Sequence, residues 1–131
     1  VNEFDPARIS PERVQRLKDA WGIKPDDRVV LQAARLTNWK GQHVVVDAVR
    51  RLKAHGNFAG VVVLAGDAQG RDAYTDGLRE AIRAGGLEGR VRLVGHVDDM
   101  AAAFLAADAS IVASTEPEAF GRTAVESQAM G

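Results

Sequence analysis

The sequence predicts an α/β domain in which a parallel sheet carries helices on both faces. Four short apolar runs are continuous rather than alternating, which is typical of strands buried on both faces of a sheet. Between successive runs lie segments with the apolar spacing of amphipathic helices. Strands that alternate with such helices form parallel sheets. The 131 residues show no internal repeat and no linker, so we predict a single domain.

The first helix and the first strand have clear boundaries in the sequence. Ser10 suits a helix N-cap, Pro11 suits the first helical position, and Gly22 suits the end of the helix. Between them, apolar residues recur at helical spacing: Val14, Leu17 and Trp21. Residues 29–34 form a short apolar run and are predicted to be the first strand.

A second amphipathic helix is predicted to begin after Gly41 and to end near Gly56. Its buried face is predicted to carry three apolar residues: Val45, Val49 and Leu52. Its exposed face is predicted to carry three basic residues: Arg50, Arg51 and Lys53.

The second half of the chain continues the alternation of strands and helices. The predicted elements are a strand over 60–65, a helix marked by Tyr74, Leu78 and Ile82, a strand over 91–94, a helix carrying Met100 and Phe104, a strand over 109–113 and a helix over 121–130. Asp98 is predicted to cap the helix that carries Met100. Since no strand follows the last helix, we expect the domain to be incomplete at its C-terminus.

Composition excludes several classes of protein. The chain has no cysteine, so disulfide scaffolds, iron–sulfur proteins and cysteine-ligated zinc sites are excluded. Its 17 basic and 18 acidic residues give a net charge of −1, which argues against nucleic-acid binding but leaves room for a local anion site. No apolar run approaches the length of a membrane span.

The predicted fold indicates where a ligand would bind. In an open parallel sheet, ligands bind beyond the carboxyl ends of the strands, where the strand order reverses. With a strand order of 3-2-1-4, the loops after strands one and four face each other across that crevice. The first loop carries Arg35 and Lys40, and the second leads into the N-terminus of a helix after Gly121. Two cations and free helix N–H groups are suited to binding a phosphate.

Taken singly, each of these features also has a structural explanation. Arg35 and Lys40 could be solvated surface charges, as most basic residues are. Glu118 and Glu126 could be helical acids without a ligand. The three histidines lie on different elements without ligand-like spacing, so no metal site is predicted: His43, His55 and His96.

The order of several short motifs supports a functional interpretation. They are Arg35-Leu36 with Lys40-Gly41, Val63-Leu64-Ala65-Gly66-Asp67, Val94-Gly95-His96-Val97, and Glu118-Ala119-Phe120-Gly121 with Glu126. Together they resemble the C-terminal, donor-binding domain of family 4 (group 1) retaining glycosyltransferases of the GT-B fold. The resemblance covers nearly the whole chain. It implies a Rossmann-like half of a GT-B fold, truncated at its C-terminus, with the acceptor-binding domain absent.

The resemblance also implies roles for individual residues. Arg35 and Lys40 would stabilise the leaving diphosphate, together with main-chain amides near Phe120 and Gly121, and Glu118 would lie near the donor sugar. Binding of the nucleotide would involve four further residues: Gly66, His96, Val97 and Glu126. Glu126 would accept hydrogen bonds from the ribose hydroxyls. The sequence has no Asp-x-Asp motif for a metal, so neither a metal nor another cofactor is expected.

The implied enzyme is a bacterial hexosyltransferase-type enzyme that makes polysaccharide or lipopolysaccharide. Its donor would be a nucleotide-sugar, and its saccharide or lipid-linked acceptor would bind the missing domain. The expected location is the cytoplasm, including the inner face of the membrane through peripheral association. The isolated chain is expected to be inactive.

Two other functions remain as alternatives at this point. A non-catalytic nucleotide- or phosphate-binding module would need the same basic loop. A receiver-type signalling domain has the same alternation of strands and helices, but it needs acidic residues after its first strands and a phosphorylatable Asp after the third. This chain has Arg35 after strand one and Gly95-His96 after strand three, which disfavours a receiver.

Overall fold

A computed structural model of the chain contains a four-stranded parallel sheet with the order β3-β2-β1-β4. The structure describes residues 6–56, 58–68, 70, 72–114 and 130. In chain order, the helices and strands are α1 (Pro11–Ala20), β1 (Val29–Ala33), α2 (Gln42–Ala54), β2 (Val61–Ala65), α3 (Asp72–Ala84), β3 (Val91–Gly95), α4 (Met100–Ala106) and β4 (Ala109–Ser110). The predicted parallel sheet and its strand order are confirmed.

The sheet separates two apolar cores, one against each face. On one face, α1 and α4 cover side chains such as Val29, Leu31 and Val63. On the other face, α2 and α3 cover Val62 and Leu64. Because successive side chains of a strand point to opposite faces, a strand covered on both faces is apolar throughout. Every residue of β2 is buried accordingly.

The outer end of α2 differs from the sequence prediction. Val45 and Val49 are buried as predicted, and Val46 joins them, but Leu52 is 43% exposed. The 13 residues of α2 span about 20 Å, whereas the five residues of each facing strand span about 17 Å. Leu52 lies in the last turn of the helix, and all of residues 50–54 are exposed, so this turn has no partner that covers it among the described residues.

The cap of α4 also differs by one residue. Asp99, rather than the predicted Asp98, accepts a hydrogen bond from the amide of Ala102 at 3.3 Å. Its carboxylate accepts two further hydrogen bonds from Arg13 of α1, at 2.6 and 2.9 Å. The hydrogen bonds from Arg13 lower the pKa of Asp99, and the bond from Ala102 adds to this effect while burial opposes it. The ion pair with α1 thus accounts for the choice of cap, while Asp98 contacts His96.

The last strand is shorter than the sequence suggested. β4 pairs with β1 at only two positions, Val30 with Ala109 and Leu31 with Ser110. One more hydrogen bond follows, from the amide of Ile111 to the carbonyl of Leu31, and the predicted strand over 109–113 ends early. The helix predicted over 121–130 lies outside the described residues, except for the buried Met130.

Candidate functional site

A narrow crevice separates the carboxyl end of β1 from the segment that follows β4. The loop after β1 approaches this segment most closely at Gly41, which has a φ of 80° and forms the N-cap of α2. A Cβ atom at this position would lie 1.9 Å from the carbonyl oxygen of Ala113. Only glycine fits such an approach in a left-handed conformation. The loop after β1 therefore lies against Ala113, at the end of the segment that follows β4 in the described part of the chain.

The structure brings the two predicted cations of this loop together around one aromatic ring. Residues Asn38–Lys40 form a 3₁₀ turn, and Lys40 Nζ lies 4.4 Å from the ring centroid of Trp39. The guanidinium carbon of the exposed Arg35 lies 5.9 Å from the same centroid. Both distances are within the range of cation–π attraction, so Trp39 gathers two positive charges in the loop after β1, and Lys40 of this pair lines the crevice. Trp39 was not among the residues predicted for the site.

Two buried amide side chains hold the main chain of this loop. Gln32 of β1 is 2% exposed, and its Nε2 donates to the carbonyl oxygen of Lys40 at 2.8 Å. Gln42, the first residue of α2, is 1% exposed, and its Nε2 donates to the carbonyl oxygen of Arg35 at 2.9 Å. Sequence reasoning missed both glutamines. The signal was present, since Gln32 interrupts an otherwise apolar strand and a buried polar group requires a partner.

The other predicted site residues on described segments have different surroundings. A Cβ atom on Gly66 would lie 1.8 Å from the carbonyl oxygen of Ala34, so this glycine permits close packing of β2 against the loop after β1. The imidazole of His96 is exposed, and its Nε2 lies 2.9 Å from Oδ1 of Asp98. The side chain of Val97 is buried in the core, so this residue offers a ligand only its main chain.

Four predicted site residues lie outside the part of the chain that the structure describes. They are Glu118, Phe120, Gly121 and Glu126. Their assigned roles stay predictions. Ser114, which precedes them in the chain, borders the crevice beside Lys40 and Gln32. The side of the crevice opposite the loop after β1 is therefore formed by residues 111–114, which precede these four residues in the chain.

Two further observations concern metals and membranes. Within residues 6–56, 58–68, 70, 72–114 and 130, no three acidic or histidine side chains lie close enough to hold a metal ion. None of the helices described here has the length and apolar character needed to cross a bilayer.

Comparison with known proteins gives a consistent picture. A sequence model of the family described as glycosyl transferases group 1 matches residues 14–131. The D-inositol 3-phosphate glycosyltransferase of Mycobacterium ulcerans is 29% identical over 145 residues, which cover the whole chain and 30% of that protein. The chain thus spans about a third of the length of the curated relatives that it matches.

Solved structures with the same fold include close matches to this domain. A glycosyltransferase from Rickettsia africae superposes with a TM-score of 0.92 at 32% identity, covering 98% of this chain and 33% of that one. Anabaena Alr3699/HepE in complex with UDP-glucose superposes with a TM-score of 0.84 at 32% identity, covering 98% of this chain and 34% of that one. WaaG, described as a glycosyltransferase involved in lipopolysaccharide biosynthesis, is 17% identical with a TM-score of 0.72, which supports the fold alone.

Proposed function

We propose the function of this protein from its family, because the chain belongs to the group 1 glycosyl transferases. In our proposal, the full-length enzyme transfers a sugar from a nucleotide-sugar donor to an acceptor, with retention of configuration and without a metal ion. The chain described here forms the donor-binding part. The observation that carries the proposal is the pair of cations, Arg35 and Lys40, gathered around Trp39 in the loop after β1.

The chemistry of the reaction explains why two cations are needed there. As the sugar leaves the donor, negative charge grows on the diphosphate and positive character develops at the sugar. Groups that are fixed in place before the reaction stabilise such charge best. A hydrogen bond to a charged group contributes about 1.5–3 kcal/mol. Loss of both basic residues would therefore slow the reaction on the order of a hundredfold or more.

The remaining parts of the donor site are assigned by the same proposal. Glu118 would lie near the sugar hydroxyls and Glu126 would accept from the ribose hydroxyls, because a carboxylate can accept from two neighbouring donors. The amides near Phe120 and Gly121 would add to the diphosphate site. The main chain at Val97 and the neighbouring His96 would approach the base. The complex of Anabaena HepE with UDP-glucose supports a UDP-sugar as the first donor to test.

The acceptor would bind a part of the enzyme outside this chain. We therefore expect the 131 residues alone to bind a nucleoside diphosphate weakly and to have no transferase activity. A saccharide or lipid-linked acceptor would agree with a role in bacterial envelope polysaccharide synthesis at the cytoplasmic face of the membrane.

A calorimetric titration with UDP, GDP and ADP tests the proposal and identifies the base. We expect one of the three to bind, and Lys40→Ala to weaken that binding. Lys24→Ala is the matched control, because Lys24 is an exposed lysine outside the crevice. If no nucleotide binds, or if both lysine variants bind equally well, the basic loop is not the donor site. Binding without sugar transfer by the full-length protein would indicate a non-catalytic nucleotide-binding module.

A further inference from the structure

A short hydrogen-bond network connects helix α3 to the main chain of the basic loop. The amide of His43 donates to the Tyr74 hydroxyl at 3.3 Å, and that hydroxyl donates to Oε1 of Gln42 at 3.1 Å. Gln42 Nε2 donates in turn to the carbonyl oxygen of Arg35 at 2.9 Å. It also lies 3.4 Å from the carbonyl oxygen of Ala34. The network therefore reaches the backbone of a proposed catalytic residue.

The orientation of the Gln42 amide follows from its partners. A hydroxyl has one proton; Gln42 Oε1, at 3.1 Å, is a nearer acceptor for it than His43 Nδ1, at 3.3 Å, and the hydroxyl oxygen accepts from the His43 amide. The amide nitrogen of Gln42 then faces the carbonyl of Arg35. A flipped amide would instead bring two oxygens together, without a proton between them. Burial raises the pKa of the Tyr74 phenol despite its hydrogen bonds, so the hydroxyl keeps this proton at neutral pH.

Gln32, on the opposite side of the loop, has no such support. Its Nε2 donates to the carbonyl of Lys40, but its Oε1 is buried and has no hydrogen-bond partner among the described residues. The two buried glutamines thus have the same kind of acceptor but differ in how firmly their amides are oriented. The main chain at Arg35 is therefore held by an amide with hydrogen bonds at both its nitrogen and its oxygen, whereas the amide that holds the main chain at Lys40 has a bond only at its nitrogen among the described residues.

We propose that Gln42 and Tyr74 are positioning residues for Arg35, holding its main chain so that its guanidinium faces the donor diphosphate. The inference rests on the proposed function. The carbonyl that Gln42 binds belongs to Arg35 itself, so the contact fixes the point from which the arginine side chain extends. A displacement of about 1 Å at a charge that acts in the transition state can reduce a rate up to a hundredfold.

A double-mutant cycle in the full-length enzyme tests this inference. Gln42→Met keeps the size of the side chain but removes its hydrogen bonds, Tyr74→Phe removes only the hydroxyl, and Arg35→Ala removes the positioned group. The substrate is the nucleotide-sugar of the base identified by titration. Gln15→Met is the matched control, since Gln15 is exposed on α1 and its amide donates to Asp19 of the same helix.

We expect Gln42→Met to lower kcat about tenfold with little change in KM, because Arg35 acts on charge that develops in the transition state. Tyr74→Phe should act in the same direction, by about threefold. In the Arg35→Ala background, either change should lower kcat by less than about twofold, since residues that act through one group are not additive. Gln15→Met should leave kcat unchanged.

The possible results separate this inference from the function on which it rests. If Gln42→Met and Tyr74→Phe each lower kcat by the same factor in the Arg35→Ala enzyme as in the unchanged enzyme, the positioning role is overturned. The proposed donor site is not affected by that result. If Arg35→Ala itself has no effect on donor kinetics, the proposed function of the loop is overturned instead. Thermal melting verifies that each variant is folded. If Gln42→Met does not fold, the double-mutant cycle of Tyr74→Phe with Arg35→Ala tests the positioning role by itself.

Discussion

Replacing Gly41 with alanine tests whether the crevice depends on a backbone contact. The residue has a φ of 80°, and the new Cβ would lie 1.9 Å from the oxygen and 2.9 Å from the carbon of the Ala113 carbonyl. The left-handed conformation costs about 1–2 kcal/mol for a residue with a side chain. Because the clashing atoms are backbone, no rotamer change relieves the contact, and overpacking of this kind adds about 1–3 kcal/mol. We expect Gly41→Ala to lower the free energy of unfolding by about 2–5 kcal/mol.

Substitutions at two other glycines measure the conformational cost and the steric cost of Gly41→Ala separately. Gly56 has a φ of 72°, and a Cβ added there would meet no atom within 4 Å, so Gly56→Ala measures the conformational cost alone. Gly66 lacks a positive φ, but its Cβ would lie 1.8 Å from the Ala34 carbonyl oxygen, so Gly66→Ala measures the clash alone. Urea unfolding of each variant gives the three free energies. Of these three variants, Gly41→Ala alone combines both costs.

The same variants connect stability to binding. Gly41→Ala should also weaken nucleotide binding, because it forces apart the two sides of the crevice, whereas Gly56→Ala should leave binding unchanged. If Gly41→Ala is no more destabilising than Gly56→Ala, the close approach to Ala113 is absent in solution. The arrangement of the crevice would then need revision.

The remaining predictions concern pH, burial, metal and kinetics. Since its folded-state pKa is lowered, Asp99 contributes stability at neutral pH that is lost progressively as the pH falls from about 4 through that lowered pKa; Asp99→Ala should cost about 1–2 kcal/mol at pH 7 and progressively less below pH 4, by urea unfolding. Leu52→Gln should change the unfolding free energy by less than about 0.5 kcal/mol, whereas Leu64→Ala should cost about 2–5 kcal/mol; equal costs would contradict the two burial assignments. EDTA should leave donor binding by the full-length enzyme unchanged, and a loss that magnesium restores would refute metal independence. Glu126→Gln should raise KM with little effect on kcat, whereas Lys40→Ala should lower kcat far more than it weakens donor affinity; a Lys40→Ala variant altered only in KM would contradict its proposed role.

The fold was largely predictable because its signals are local. Continuous apolar strands, helix caps such as Ser10 and glycines at helix ends all depend on neighbouring residues. The sequence predictions were wrong where residues far away in the chain determine the local structure. Asp98 and Asp99 are equivalent as caps in the sequence, and only the ion pair with Arg13, 86 positions away, distinguishes them. Leu52 has the right helical spacing, but its exposure depends on whether distant segments of the chain cover the last turn of α2.

The sequence indicated the charged residues of the candidate site, but not the buried side chains that hold its main chain. Arg35 and Lys40 were predicted because cations after a first strand suit a phosphate; the structure brings both to Trp39, and their role in donor binding stays a prediction. The buried amides of Gln32 and Gln42 were missed, because sequence spacing does not reveal which carbonyl groups a side chain will reach in the folded chain.

The strand order has a consequence for how the molecule folds. β1, β2 and β3 follow one another in the chain and lie side by side in the sheet, so Val29 pairs with Val61, 32 positions later, and Val62 with Val91, 29 positions later. β4 must instead return to β1, where Val30 pairs with Ala109, 79 positions later. Closing a longer loop costs more entropy, so we expect this pairing to form last. The crevice beside Lys40 would then arise only in the final folding step, and a partly folded chain would have a sheet but not the crevice proposed to bind the donor.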